Sequence, residues 1–427
     1  MKLRKAGGNW VDGDRFFDRE VELEALAERV RHGNNTLLTA QRRMGKTSLV
    51  RELLRRLKET GEIEPIFVDL EAARDPADAI AEISVQAKEA MGAWARVKRV
   101  FGNVLRQADR IDELAVADVK VKLRAGIDAG NWQQRGDAVL AALAESDRPV
   151  VLAMDELPIL VNRLLKGDRE RITAEGRQVA DAFMSWLRKN GQAHRGRMCM
   201  IVSGSVGLEP VLAQAGLSAQ ANIFSPFDLK PWSEDIAVSC LGALAESYGI
   251  DLPEGIRRDM CRRLRSCIPH HVQMFFDKMH EHLRRAGKSA AAEEDVENVY
   301  LHEMLGVRGQ LDLQHYEGRL EAILGRAGDL IALELLTAAA VNGILDDSLV
   351  ERYRAHYSGL DTEEGAGAPD VDDVLHLLEH DGYLERQNGG YRFVSGLLED
   401  WWSNRHGRHF VPVFGPGPNK EGVAGWP

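Results

Sequence analysis

Residues of the right types and spacing to hold a phosphate chain lie between Asn35 and Leu53, in the segment NTLLTAQRRMGKTSLVREL. A short apolar run is followed by a turn with Gly45, Lys46 and Thr47, and then by a helical pattern. A strand, a tight turn and a helix direct backbone N–H groups and the positive end of the helix at one point, which suits a triphosphate. We therefore predict that Lys46 reaches the β and γ phosphates and that the Thr47 hydroxyl ligates Mg²⁺.

One position departs from the usual pattern G-x-x-x-x-G-K-[ST], because Ala40 stands where the first glycine is expected. Alanine accepts α or β backbone angles, whereas a positive φ would cost it about 1 kcal/mol or more. The core from Gly45 to Thr47 is intact and has a strand before it and a helix after it. This context favours a working loop over a helix start whose lysine is only solvated.

A second group of candidate residues is the acidic pair that ends the apolar segment PVVLAMDE. Ligands of parallel sheets bind at the carboxyl ends of the strands, where Asp155 and Glu156 would lie. In nucleotide hydrolysis one carboxylate holds Mg²⁺ and another group polarises the attacking water. Apolar runs followed by two acids are common, but together with the upstream loop the signal is specific. We assign Asp155 to the metal and Glu156 to the base.

The apolar segment MCMIVSGS ends in small polar residues that offer a third contact. A polar side chain at this strand end is placed to contact the γ phosphate and the attacking water, and we favour Ser203 for that role. The alternative interpretation is a simple turn built from small residues.

The elements that must position these residues follow an α/β pattern. The segment DREVELEALAERVRHG has helical recurrence of apolar residues, TLLTA is a strand, and the next helix ends at Gly61. A second strand, IEPIFVDLEA, precedes a helix that opens near Pro76. Strands that alternate with helices predict a parallel sheet covered on both faces.

Residues 84 to 135 interrupt this alternation. One helical face there carries Trp94, Val97, Phe101, Val104, Leu105, Ala108 and Ile111, and basic residues fall largely elsewhere. The following VKVKLR alternates like a strand, with its basic residues on one side. We favour a packing helix with a solvated face over a membrane or partner surface.

Beyond Pro231 the pattern becomes helical, and near the end a helix (DVDDVLHLLEHD) feeds a hairpin with an Asn388-Gly389 turn. A helix followed by such a hairpin is typical of a winged helix. The predicted domains are a leader at 1–13, a nucleotide-binding domain at 14–230 with the insert at about 84–135, a helical lid at 231–305, a winged-helix-like domain at 306–404 and a flexible tail at 405–427.

Composition excludes several classes of function. The net charge of -11 opposes a general attraction to nucleic acid or anionic lipid. The 4 cysteines are scattered without metal spacing, and no apolar run is long enough to span a bilayer. We expect a cytoplasmic protein with no signal peptide and no membrane insertion.

An ordered series of segments resembles a known family: FFDREVELEAL, QRRMGKTSL, VVLAMDEL, IVSGSVGLEPVL, FDLKPWSEDIA and IPHHVQMF. The chain is similar to the AAA-like STAND class of P-loop ATPases, in particular the group called archaeal-type ATPases, which also occur in bacteria. The resemblance spans roughly residues 14 to 404. It implies an α/β P-loop NTPase fold with a parallel sheet of AAA/ASCE type, followed by a helical lid and a winged helix. It also implies ATP as ligand, Mg²⁺ as cofactor and action as a switch.

The resemblance also implies roles for individual residues. It places Phe17, Asp18 and Arg19 near the adenine, Asp155 on magnesium, Glu156 as base and Ser203 as sensor. It implies that the phosphates are surrounded by Gln41, Arg42, Arg43, Met44, Gly45, Lys46, Thr47 and Ser48.

The resemblance leaves two assignments open, namely the role of the paired loop arginines and the identity of the lid arginine that senses nucleotide. Arg42 and Arg43 either add positive charge beside the phosphates or make a solvent-facing loop contact. The lid arginine that senses nucleotide is undecided among Arg262, Arg263 and Arg265.

Two hypotheses for function follow. Between Ser205 and Arg257 there is no arginine to act as a finger, and a finger is worth 10³ to 10⁵ in rate, so hydrolysis should be slow. This favours a regulatory switch that controls a partner protein. The alternative is a DNA-associated ATPase that resembles origin-recognition proteins and uses ATP as a clamp. Residues 327 to 404 hold four arginines, no lysine and sixteen acidic residues, a net charge of -12 that disfavours DNA.

Overall fold

A five-stranded parallel sheet lies in the first part of the chain. The computed structural model describes residues 2–6, 10–89, 93–102, 115–167, 171–358 and 370–415. The chain separates into two units, Leu3–Lys230 and Pro231–Pro427. The strands of the first unit are β1 (Thr36–Thr39), β2 (Glu64–Asp69), β3 (Val150–Asp155), β4 (Met198–Ser203) and β5 (Ser225–Asp228).

The order of the strands is β2-β3-β4-β1-β5. The four apolar runs predicted as strands are confirmed as β1 to β4, and every residue of β3 and β4 is buried. Strand β5 was not predicted because its sequence, SPFD, has no buried apolar run. The strand order confirms the predicted P-loop NTPase fold, in which β4 separates β1 from β3 and brings three strand ends to one edge.

Helices cover this sheet. They are α1 (Glu20–Arg31), α2 (Lys46–Thr60), α3 (Pro76–Gln86), α4 (Ala93–Val100), α5 (Val116–Ala125), α6 (Trp132–Ala144), α7 (Leu157–Lys166), α8 (Ala174–Ala193) and α9 (Leu208–Gln214). Helix α2 buries Leu49, Leu53 and Leu57, whose spacing of four residues places them on one face. It ends at Gly61, as predicted, where φ is 69°.

The insert corrects one prediction. The segment VKVKLR is not a strand but part of helix α5. Val119 and Leu123, four residues apart, are buried on one face of it, and α5 packs on α3. The run is too short for its alternation to outweigh a helical face supplied by the residues on either side. The predicted apolar helix face is present at Val97 and Phe101, both buried, while its positions from Val104 to Ile111 lie outside the described residues.

The second unit is mainly helical, as expected from Pro231 onward. Its α-helices are α10 (Glu234–Tyr248), α11 (Glu254–Leu264), α12 (Pro269–Arg285), α13 (Glu293–Asn298), α14 (Val307–Asn342), α15 (Asp347–Ser358), α16 (Val371–His380) and α17 (Gly396–His406). A π-helical turn spans Val299–Met304, and α14 is interrupted at Gly325, where φ is 71°. Of the helices in the described ranges, none combines the length and the apolar character needed to cross a bilayer.

The second unit also contains a three-stranded antiparallel sheet, of which one strand precedes α15 and two follow α16. Its strands are β6 (Leu345–Asp346), β7 (Leu384–Gln387) and β8 (Gly390–Phe393), in the order β6-β8-β7. The predicted hairpin is confirmed, with Gly389 at a φ of 88° in its turn. The acidic loop at 359–369 and the tail from 416 lie outside the described residues.

Candidate nucleotide site

The loop between β1 and α2 ends at Gly45, which has a left-handed backbone conformation. Gly45 has a φ of 88°, and a Cβ added there would meet nothing within 4 Å. The glycine is therefore required by its backbone angle and not by lack of space. Arg43 also takes a positive φ, of 66°, whereas Ala40 is not among the residues with a positive φ. The alanine in place of the usual glycine therefore carries no left-handed strain.

The amine of Lys46 points back over the start of this loop. Its Nζ donates hydrogen bonds to the carbonyl oxygens of Ala40 at 2.6 Å and Gln41 at 3.0 Å. The residue is only 8% exposed. The side chain is thus held folded along the loop, close to the N-terminus of α2, where Gly45 supplies no capping side chain. Positive charge and backbone N–H groups at a helix N-terminus favour an anion.

Three chain segments meet at the carboxylate of Asp155. The Thr47 hydroxyl donates to Oδ2 and the Ser203 hydroxyl donates to Oδ1, each at 2.7 Å. The backbone N–H of Glu156 also donates to Oδ1, at 3.1 Å. Asp155 is 6% exposed and Ser203 is 1% exposed. The sheet order explains the meeting, because Ser203 ends the strand that lies between β1 and β3.

This cluster has the chemistry of a magnesium site. A hydroxyl oxygen from Thr47 and a carboxylate from Asp155 are hard oxygen ligands of the kind that Mg²⁺ prefers. Because the two side chains already lie within hydrogen-bond distance, one ion can replace the shared proton as their common partner. The residues present therefore fit the metal that the sequence predicts here.

Glu156 follows Asp155 directly and takes a left-handed backbone conformation, with a φ of 58°, just before α7 begins. Its Oε2 accepts two hydrogen bonds from Ser205, one from the backbone N–H at 3.0 Å and one from the hydroxyl at 2.6 Å. The two acids at the end of β3 are therefore held by two different serines. The sequence analysis favoured Ser203 among the small polar residues that end this segment, and it assigned no separate role to Ser205.

The remaining predicted residues lie around this centre with varied contacts. Met44 is buried, and the Ser48 hydroxyl accepts a hydrogen bond from the backbone N–H of Val11 at 3.0 Å. Ser48 therefore ties the N-terminal segment to α2. Phe17, Gln41, Arg42 and Arg43 are half-buried.

Arg19, predicted near the adenine, has a buried side chain with partners in its own unit. It forms an ion pair with Glu22 at 2.6 Å and donates to the carbonyl oxygen of Lys230 at 2.8 Å. Both Asp18 and Arg19 have positive φ values, of 60° and 75°. These contacts fix the entry into α1.

Three basic residues in the described part of the insert are engaged by neighbouring acids, carbonyls and hydroxyls. Arg124 bonds the carboxylates of Asp75 at 2.7 Å and Asp78 at 2.5 Å, and Lys120 pairs with Glu82. Arg96 donates to a backbone carbonyl at 3.2 Å and to a serine hydroxyl at 2.9 Å. These contacts hold the insert against the rest of the first unit.

Comparison with known proteins adds evidence on the fold. No family model and no curated protein sequence matches the chain. The structure is similar to a Walker-type ATPase of Pyrococcus abyssi, with a TM-score of 0.57 and 18% identity over 91% of this chain and 96% of that one. It is also similar to the ORC2 protein of Aeropyrum pernix, solved as ADPNP–ADP complexes, with a TM-score of 0.51 and 14% identity over 92% and 95% of the two chains. The strand order, the loop and these likenesses agree that the chain has the fold of a P-loop ATPase.

Proposed function

We propose that the protein binds ATP with Mg²⁺, hydrolyses it slowly, and acts as a regulatory switch whose nucleotide state controls a partner protein. One observation carries the proposal. The Thr47 hydroxyl and the Asp155 carboxylate, from two motifs that lie far apart in the sequence, are joined at 2.7 Å. Lys46 and Ser203 lie at the same edge of the sheet, so that the phosphate, metal and sensor roles are carried by neighbouring elements.

Each residue of the site has a separate role in the proposed hydrolysis. Lys46 offsets charge on the phosphates, and Thr47 and Asp155 would hold Mg²⁺, which when bound neutralises charge that develops on the phosphates. Glu156 takes a proton from the attacking water. Ser203, bonded to Asp155, is placed to report on the γ phosphate. Phe17, Arg19 and the loop residues Gln41 to Ser48 complete the proposed nucleotide contacts.

Slow turnover follows from the sequence after the sensor strand. It has no arginine from residue 206 to residue 256, so this stretch supplies no arginine finger. Without such a residue, charge that develops on the phosphates is neutralised less completely, and related enzymes lose about 10³ to 10⁵ in rate. A long-lived ATP state suits a switch better than a motor.

The output of the switch is assigned to the second unit. We interpret residues 231–305, which include α10 to α13, as the lid, and residues 306–404, which include the β7–β8 hairpin, as a winged-helix-like domain of the STAND-type plan. The helix preceding the hairpin, α16, carries Asp372 and Asp373 in its first turn, and Asp370 caps it by accepting from the Asp373 N–H at 2.8 Å. An acidic helix is repelled by DNA phosphates, so we assign this region to protein contact.

DNA binding is the competing function, because the family that the sequence resembles is similar to origin-recognition ATPases in domain plan. It would need cations for phosphate contacts, and Lys120 and Arg124 of the insert are instead paired with acidic side chains. Fluorescence anisotropy with duplex DNA across a salt series separates the two functions. Tight binding that weakens steeply with salt would favour DNA. Weak binding at all salt concentrations is expected for the switch.

The nucleotide site is tested by calorimetry with ATP in the presence and absence of magnesium. We expect magnesium-dependent binding by the wild-type protein and its loss in Lys46→Ala. Lys58→Ala is the matched control, because it removes an exposed lysine near the other end of the same helix α2. Equal binding by Lys46→Ala and Lys58→Ala would overturn the assignment of the loop.

The switch itself is tested with Glu156→Gln, which should bind ATP and release phosphate only at a small residual rate. Affinity purification from native cells with this trapped variant and with the wild-type protein then compares their partners. We expect the trapped form to enrich a protein that the wild-type form does not. Recovery of the same partners by both forms would contradict the switch.

A further inference from the structure

The turn after β4 carries two serines that hold different acids. Ser203 bonds Asp155, and two residues later Ser205 bonds Glu156. The hydroxyl and the backbone N–H of Ser205 both donate to Oε2 of Glu156, at 2.6 Å and 3.0 Å. Two donors from one residue on one oxygen restrict the rotation of the carboxylate more than a single bond does. Hydrogen bonds to an ionised acceptor are also among the stronger ones in proteins.

The approach of this turn to Glu156 depends on the residue between the serines. A Cβ added to Gly204 would lie 2.6 Å from Cδ and 2.7 Å from Cγ of Pro158. Pro158 stands in the first turn of α7, two residues after Glu156, and its ring is tied to the backbone. A side chain at Gly204 would therefore push the turn away from α7 and carry Ser205 with it.

The backbone of Glu156 also has an unfavourable conformation. Its φ of 58° is left-handed, which costs a residue with a Cβ about 1 to 2 kcal/mol. Such conformations persist when the surrounding structure enforces them. Here the carboxylate is anchored by Ser205 while the backbone N–H is anchored by Asp155. Both ends of the residue are thus fixed at the end of β3.

We propose that Ser205 is a positioning residue that orients the Glu156 carboxylate for proton transfer in ATP hydrolysis. This inference rests on the proposed function. In the step concerned, the water oxygen forms a bond to the γ phosphorus, a water proton passes to Glu156, and the bond from the γ phosphorus to the β–γ bridging oxygen breaks to release ADP. Ser205 acts through Glu156 and exchanges no proton with the substrate.

The test compares phosphate release in single turnovers by the wild-type protein and by Ser205→Ala, Ser205→Thr and Gly204→Ala. Misplacement of a catalytic group commonly costs one to two orders of magnitude, so we expect Ser205→Ala and Gly204→Ala to be slower by about tenfold or more. Their affinity for ATP should stay within about threefold of the wild-type value, because Ser205 acts on the base and not on binding. Ser205→Thr keeps the hydroxyl and should recover most of the rate. Ser185→Ala, which changes an exposed serine of α8, is the control.

A double-mutant cycle separates positioning from a general structural effect. In a Glu156→Gln background, Ser205→Ala should cause no further loss of rate, because its target is already gone. Full additivity of the two losses would overturn the inference. So would a rate for Ser205→Ala equal to, or faster than, that of the wild-type protein. No phosphate release by the wild-type protein would overturn the proposed hydrolysis, and this inference with it.

A second readout does not depend on activity. In the nucleotide-free protein the Ser205 backbone N–H donates to Glu156, so its hydrogen exchange should be slow. Glu156→Ala should accelerate that exchange by about tenfold or more, with thermal melting measured to confirm that the variant is folded. Equal exchange rates in the two proteins would show that the contact does not hold the turn in solution.

Discussion

The backbone conformation of the loop between β1 and α2 predicts that restoring the usual first glycine of the motif will not improve the protein. Restoring the usual glycine by Ala40→Gly is expected to lower stability and to leave ATP affinity unchanged. Ala40 has no positive φ, so a glycine there relieves no strain. It adds conformational freedom to the unfolded chain, which costs about 0.4 to 1 kcal/mol.

The reverse exchange at the other end of the loop supplies a matched comparison. Gly45→Ala places a Cβ in open space but at a φ of 88°. The left-handed strain costs about 1 to 2 kcal/mol, and the stiffer unfolded chain returns about 0.4 to 1 kcal/mol, which leaves a net loss of about 0.8 kcal/mol at the middle of the two ranges. Both exchanges should therefore destabilise the protein, although they are chemically opposite.

Differential scanning calorimetry measures these changes as shifts of the transition that belongs to the first unit. A loss of about 0.4 to 1 kcal/mol in a unit of this size lowers the melting temperature by about 1 to 4 °C. Ala40→Ser, which keeps a Cβ, should shift it less. A higher melting temperature for Ala40→Gly, or ATP binding at least tenfold tighter than in the wild-type protein, would show that Ala40 is strained and would refute the reasoning.

Two further predictions concern buried charges. Burial raises the pKa of Glu52, but hydrogen bonds from Arg55 and Arg56 and their charges outweigh it and hold that pKa at about 2. Because the folded-state pKa lies below the usual 4.5, the ionised Glu52 stabilises the fold above about pH 4.5 and loses this effect as the pH falls towards 2. The drop in melting temperature caused by Glu52→Gln should therefore be large at pH 7 and should shrink between about pH 4.5 and pH 2. Arg19→Ala should cost about 1 to 3 kcal/mol without nucleotide, because it removes the hydrogen bond from a buried, charged guanidinium to the carbonyl of Lys230. An unchanged melting temperature would instead favour a role in adenine contact alone.

Much of the fold was predictable because its signals are local. The β3 and β4 segments are continuous apolar runs, which is what burial on both faces of a parallel sheet requires. Helix α2 was visible from the spacing of its leucines and from Gly61 at its end. Strand β5 and the helix formed by VKVKLR were missed, since neither has a local pattern strong enough to outweigh its tertiary surroundings.

The candidate site was also predictable only in part. The sequence by itself determined which groups stand at the ends of β1, β3 and β4, because Lys46, Thr47, Asp155 and Glu156 belong to motifs whose spacing along the chain carries the chemistry. Only the tertiary structure decided how these groups meet. The order of the strands places β4 between β1 and β3, which brings the Ser203 hydroxyl to Asp155.

Backbone angles and close approaches were also beyond the sequence. Whether Ala40 was strained depended on a φ value that the surrounding loop sets. The attachment of Ser205 to Glu156 depended on the narrow gap between Gly204 and Pro158. The physical reason is that a motif specifies the residues near one point in the chain, whereas a hydrogen bond between two strand ends requires the packing of every element that lies between them.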